Sequence, residues 1–129
     1  MIKTDEEIIK RMQEIKKNYE NYVVFFIIGY MVRVIDMDVC IIAGRFNRKF
    51  RKITDDFVAS TFSIKNIECS VKNLEKEKIN NIQIDVKNDF KVLKVIDFED
   101  ENSYNEKLNN YVSVIKNRKE YKEIFGKNR

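Results

Sequence analysis

Histidine is absent from this chain of 129 residues, and cysteine occurs only twice, at Cys40 and Cys69. Histidine is the commonest general base near neutral pH and a leading zinc ligand. Its absence excludes Ser-His-Asp triads, Cys-His dyads and zinc sites of the usual kind. The two cysteines show no ligand-type spacing, and free thiols in a reducing compartment are the expectation. Long apolar runs are also missing. The run from Val23 to Val32 holds ten uncharged residues and stops at Arg33, whereas a bilayer span needs about 20. The opening "MIKTDEEIIKRM" lacks the basic start and apolar centre of a secretory signal, which predicts a cytoplasmic protein with no membrane partner. Repeats, low-complexity tracts and linkers are lacking too. One domain, residues 1–129, is therefore expected, long enough to bury a core without disulfides or metals.

What is present points to a folded chain with an uneven charge. Charged residues make up 36% and hydrophobic residues 43%, a balance typical of globular domains and not of disorder. Ile, Lys and Asn supply 50 of the 129 residues, which points to an AT-rich coding genome. The net charge of +4 is concentrated. "RFNRKFRK", Arg45 to Lys52, holds five cations and no acid, the tail from residue 103 is basic again, and residues 53–102 between them are net acidic. Such asymmetry concerns partners, and phosphate is the first candidate.

Periodicity predicts an α-β-β-α-β-α-β-β-α order. Thr4 and Glu7 have capping-box spacing ahead of Ile8, Met12, Ile15 and Tyr19, which recur at helical intervals over residues 5–18. Tyr22 to Ile28 and the alternating residues after Gly29 read as two strands joined at Gly29 and Tyr30. Asp36 or Asp38 is placed to cap a short helix running to about Arg45. Lys49–Ile53 is a candidate strand, Thr54–Asp56 is turn-like, and Phe57–Phe62 reads as a further strand or a loop, so the order counts one strand here. Ile64, Ile67, Val71 and Leu74 define a helix ending near Asn80, and "IQIDV" with "FKVLKVIDF" forms a hairpin. Ser103 and Glu106 repeat the capping-box spacing before one helix of about 20 residues that ends at Gly126. The fold class expected is α/β (α+β): a single domain with a mixed β-sheet flanked by helices.

In that order, residues 8–97 resemble the N-terminal mismatch-recognition domain, domain I, of the DNA mismatch-repair protein MutS. "KKNYENYVVFFIIGY" looks like that family's entry helix and first strand, with Gly29 where the family has the glycine of its Gly-Asp-Phe-Tyr-Glu motif. "VIDMDVCIIAGRF" is similar to its aspartate-capped helix. "FVASTFSIKNIECSVKNLEKEKINNIQIDV" resembles the small-residue turn, long helix and strand that follow, and "FKVLKVID" resembles the strand that closes the domain. The resemblance implies a MutS domain I-like core with an additional C-terminal helix over 103–126, and it implies DNA, ahead of RNA, as partner. In the family an aromatic residue and a glutamate enter the duplex. Met31 and Arg33 stand at those positions here, so Met31 is a degenerate wedge and true mismatch specificity is not expected. The connector, clamp and ATPase domains of that family are not found in this chain.

The candidate nucleic-acid-binding residues are Arg33, Arg45, Asn47, Arg48, Lys49, Arg51 and Lys52, with Lys116, Arg118, Lys119 and Lys122 on the C-terminal helix. Cations of this density suit phosphate contacts, which position without specifying sequence. Phe46 and Phe50 between them are candidates for stacking on bases. A solvated basic loop anchored by its phenylalanines, and a helix whose cations suit its own C-terminus, are the plainer readings. Arg33, inside an apolar stretch, must face solvent or pair with Asp36, Asp38 or an external phosphate. Asp55–Asp56 and the acids of Asp97–Glu101 are candidate Mg²⁺ ligands by composition, but adjacent acids in a turn point apart and no third ligand stands out. Both cysteines sit on apolar helical patterns and read as small core residues. The expectation is a non-enzymatic nucleic-acid-binding domain without cofactor. The alternative is a small phage or mobile-element protein that binds and modulates a host or viral protein, with a homodimer also open.

Overall fold

The uninterrupted apolar run is explained by its place in the sheet. The computed structural model describes residues 5–126 and contains six strands. These are β1 (Val23–Ile28), β2 (Met31–Ile35), β3 (Arg51–Thr54), β4 (Phe57–Ser63), β5 (Asn81–Asp85) and β6 (Lys91–Ile96). They lie in the order β3-β4-β2-β1-β5-β6, with β1 and β5 parallel and the other neighbours antiparallel. β1 is central and covered on both faces. Its Val-Val-Phe-Phe-Ile-Ile therefore needs no polar alternation.

Helices cover the two faces unequally. α1 (Asp5–Asn18) packs alone on one face, where Met12 and Ile15 meet Val24, Phe26, Ile35, Ile82 and Ile84. Its first turn is acidic and its last turn basic, the arrangement that suits the helix dipole. On the other face lie α2 (Asp38–Phe46), α3 (Ile67–Lys76), α4 (Ser103–Ile115) and α5 (Lys119–Phe125), over Val23, Phe25, Ile27, Val32 and Val34. The result is the expected mixed α/β class in three layers. Among the described residues, no helix is long and apolar enough to cross a membrane.

Residues 103–126 complete this second face. Tyr104 and Ile115 are buried, and Leu108, Tyr111 and Val112 pack against the same core. α4 can lie close on α2 because Gly44 faces it: a Cβ there would come 2.7 Å from Cβ of Tyr111. A side chain at position 44 would push the two helices apart. The single C-terminal helix expected from the sequence is in fact two. Arg118 is extended (φ −70, ψ 145), and its guanidinium donates to the carbonyl of Arg48 at 2.8 Å. The break turns Tyr121 and Phe125 back toward Phe50, whereas a straight helix would carry those rings into solvent.

Local chemistry departs from expectation at three further points. Neither Asp36 nor Asp38 caps α2: the N-cap position is Met37, without a side-chain bond, and Asp38 is turned into the core. Ser103 lies inside α4 and its hydroxyl donates to the carbonyl of Glu77 at 3.3 Å, so its spacing to Glu106 makes no capping box. Cys40 is buried as expected, but Cys69 is exposed on the outer side of α3. Thr4, the first half of the other capping box, lies outside the described residues. The β1–β2 turn falls where expected, with Gly29 at φ +64, a left-handed conformation that favours glycine.

Candidate nucleic-acid interface

The candidate cations separate into an open group and an internal group. Arg33 lies opposite Phe26 on β1 and Thr61 on β4, and Arg51 lies opposite Ala59. Opposed residues share a face of the sheet, and Phe26 and Ala59 belong to the core under α1. Arg33, Thr61 and Arg51 therefore line the α1 side, out toward the β3 edge. Arg33 is half-buried, and its Nε is 3.3 Å from the hydroxyl of Thr61. Burial, and then the neighbouring charge of Arg51, make its proton easier to lose than usual, while Asp5 acts in the opposite direction. Two arginines thus share one face of the sheet.

A groove of about 380 Å³ continues this face, lined by Lys49, Phe50, Arg51, Ala59, Thr61 and Glu120. The acid in its wall is committed elsewhere, since Glu120 pairs with Arg118 at 2.9 Å. Among the described residues, Arg33, Lys49 and Arg51 have no ion-pair partner within 4.0 Å. Lys52 lies opposite Val58, on the other face of the sheet, and pairs loosely with the exposed Asp55 at 3.8 Å.

The internal cations do structural work. Arg45 donates to Glu77 at 3.1 Å and to Asn73 at 2.5 Å, tying α2 to α3. Arg48 lies 4.7 Å over the ring of Phe62, with its Nε buried and without a hydrogen-bond partner. Arg118 lies over Phe50 and holds Arg48 and Glu120. Phe50 is buried and Phe46 packs against the core, so neither ring is presented for base stacking. Asn47 is exposed but serves as the left-handed C-cap of α2. Lys116, Lys119 and Lys122 are exposed, with Lys119 near Glu123 at 3.9 Å.

Position 31, expected from the resemblance to be a degenerate wedge, is accessible. Met31 is 43% exposed and Tyr30, at the turn, is 87% exposed. Met31 precedes Arg33 by two residues and lies opposite Ser63, so it shares the α1-side face with Arg33.

A buried cluster of charged groups was not legible in the sequence. Asp38 is completely buried, accepts from the Val24 amide at 2.9 Å and the Tyr104 hydroxyl at 2.5 Å, and pairs with Lys16 at 3.1 Å. Lys16 also donates to the carbonyls of Tyr19 and Tyr22, each at 2.9 Å. This cluster joins the end of α1, the start of β1, the start of α2 and α4. Burial raises the Asp38 carboxyl above its ordinary value, while Lys16, Tyr104 and the Val24 amide act against that. Burial, then Asp38, keep the Tyr104 hydroxyl protonated. The Cys40 thiol is pushed up to about 12 by burial and Asp38, so it is no nucleophile. With its donors and acceptors engaged inside the protein, the cluster has the character of a fastening. Among the described residues, no group of three or more Cys, Asp or Glu is arranged to hold a metal ion.

The chain matches no known family model and no curated protein sequence.

Proposed function

We propose that this protein is a non-enzymatic nucleic-acid-binding domain of the cytoplasm that holds the phosphate backbone on the α1-side face around Arg33, Lys49 and Arg51. The observation that carries this reading is the placing of Arg33 on β2 and Arg51 on β3, either side of β4 on one face of the sheet and beside an open groove, with the nearby acid engaged by Arg118. Uncompensated cations on one face release counterions when phosphate replaces solvent, which supplies affinity without sequence readout. Thr61 adds a hydroxyl to the same face. The resemblance to the MutS mismatch-recognition domain supports DNA ahead of RNA. The exposed thioether of Met31, where that family has an aromatic wedge, supports binding without mismatch preference.

Fluorescence anisotropy of labelled single-stranded, paired and single-mismatch DNA, at low and near-physiological salt, tests the reading. Salt-sensitive binding that treats paired and mismatched duplexes alike is expected. Absence of binding at low salt would overturn it and favour a protein partner instead.

A further inference from the structure

The sheet has two edges, and they are built differently. β3 presents Arg51 and Lys52, with its register disturbed between Lys52 and Thr54. Charge and irregularity of this kind protect an edge from other strands. β6 presents apolar side chains: Val92 is 43% exposed, and Leu93 and Val95 are each 50% exposed. Its ladder partner in the sheet is β5, on one side. Among the described residues, the backbone donors and acceptors on the other side have no ladder partner, and they lie beside an apolar surface.

A register shift in β6 determines which way these side chains face. Val92 lies opposite Ile84 and Val95 opposite Ile82, with Leu93 as the extra residue between Ile84 and Gln83. Ile82 and Ile84 both belong to the core under α1. Val92 and Val95, three residues apart, are therefore on the same face, where regular alternation would separate them. Lys91, opposite Asp85, and Ile96, opposite Asn81, take the other face.

Antiparallel partners must share a face at each opposed position. β6 meets that condition with itself when a twofold axis passes between Leu93 and Lys94. Val92 of each copy then lies opposite Val95 of the other, and Lys91 opposite Ile96. The valines of both copies merge into one apolar strip. Lys91 of one copy also lies at the end of the strand where the other carries the exposed acids Asp97 and Glu99. We infer that β6 is a self-complementary edge through which two copies of this chain pair antiparallel into one continuous sheet.

Charge also limits the assembly. Joining β6 to the β3 edge of another copy would build an open fibre, but it sets Lys91 and Lys94 against Arg51 and Lys52. Pairing β6 with β6 closes at two. The axis stands perpendicular to the sheet, so the Arg33 and Arg51 faces of both copies lie on the same side.

Sedimentation across a wide concentration range tests the inference without nucleic acid, so its outcome is separable from the binding proposal. The unmodified protein is expected to dimerise as concentration rises. Val92→Glu with Val95→Glu sets like charges across both symmetric contacts and is expected to raise the dissociation constant on the order of 100-fold or more. Val92→Glu with Val95→Lys sets opposite charges across the same contacts and is expected to recover the dimer at low salt. Circular dichroism melts establish that each variant is folded. Should either fail to fold, hydrogen exchange of the β6 amides in the unmodified protein decides, with protection expected to grow with concentration. A monomer at every concentration, a dimer indifferent to both pairs of substitutions, or β6 amides whose exchange ignores concentration would overturn the inference.

Discussion

Lys16 and Arg33 are both cations set against the same sheet, and their surroundings differ in kind. Lys16 is enclosed by Asp38 and the carbonyls of Tyr19 and Tyr22, inside a cluster that also engages Tyr104. Arg33 has a single hydroxyl from Thr61 and, close by, the like charge of Arg51. A buried charge without partners is expensive, so the first cluster persists because its polar atoms are answered within the protein. The second can exist because it is open to water, and its charge is left unneutralised among the described residues. Charge that holds the fold and charge left open to solvent are thus distinguished by whether the neighbours complete it.

The comparison breaks most visibly at Asp38. Replacing Asp38 with Ala leaves Lys16 buried without its counter-charge, and a loss of about 3–5 kcal/mol is expected in urea or thermal unfolding. Lys16→Met is expected to destabilise as well, and the double variant by less than the sum, because removing both partners strands neither charge. Additive losses would show that the two residues are not one unit. The opposite behaviour is expected on the open face. Arg33→Ser, Lys49→Ser and Arg51→Ser should each shift stability by no more than about 0.5 kcal/mol, as surface substitutions do, while weakening nucleic-acid binding. Between these extremes lies Tyr111, whose hydroxyl donates to Glu77 at 2.5 Å, alongside the Arg45 to Glu77 pair. Tyr111→Phe is expected to cost about 0.5–1.5 kcal/mol, the net worth of one hydrogen bond.

The smallest effect concerns acid. Tyr22 donates to Asp97 at 2.5 Å, and this bond, with that from the Glu99 amide, holds the Asp97 carboxyl below its usual value. Because the folded-state value is depressed, the contribution is present above the ordinary carboxylate value of 3.8 and is lost as pH falls through the lower folded one. The same bond lifts the Tyr22 hydroxyl to about 12, so it remains a donor throughout that window. Tyr22→Phe is expected to move the Asp97 titration upward in a carboxyl NMR experiment, with little change in stability at neutral pH. An unmoved titration would mean that the bond does not form in solution.

Which parts of this were readable in the sequence follows from the range of the interactions involved. The hairpin at Gly29, the Ile67, Val71, Leu74 stripe and the "IQIDV" strand were legible because their patterns are local and periodic. Arg33 and Arg51 were singled out by composition, but their meeting on one face depends on the β2, β4 and β3 registers, which no local pattern encodes. The Lys16, Asp38 and Tyr104 cluster was missed because its members lie in three separate helices. Asp38 reads as an ordinary helix cap until its side chain is seen turned inward. The break at Arg118 was hidden for a similar reason, since residues 103–126 keep a helical pattern throughout and only the carbonyl of Arg48 explains the turn.

The division between internal and outward charge is tested most directly by the salt dependence of DNA binding. The logarithm of the affinity would be followed against the logarithm of salt concentration for the unmodified protein, for Arg33→Ser/Lys49→Ser/Arg51→Ser, and for Lys116→Ser/Lys119→Ser/Lys122→Ser. Each phosphate contact on a duplex contributes about 0.9 to the slope. The first triple variant is therefore expected to flatten the slope by about 2–3, with the second changing it less. Equal slopes for the unmodified protein and the Arg33, Lys49, Arg51 variant would contradict the account, because the open face would then be touching no phosphate.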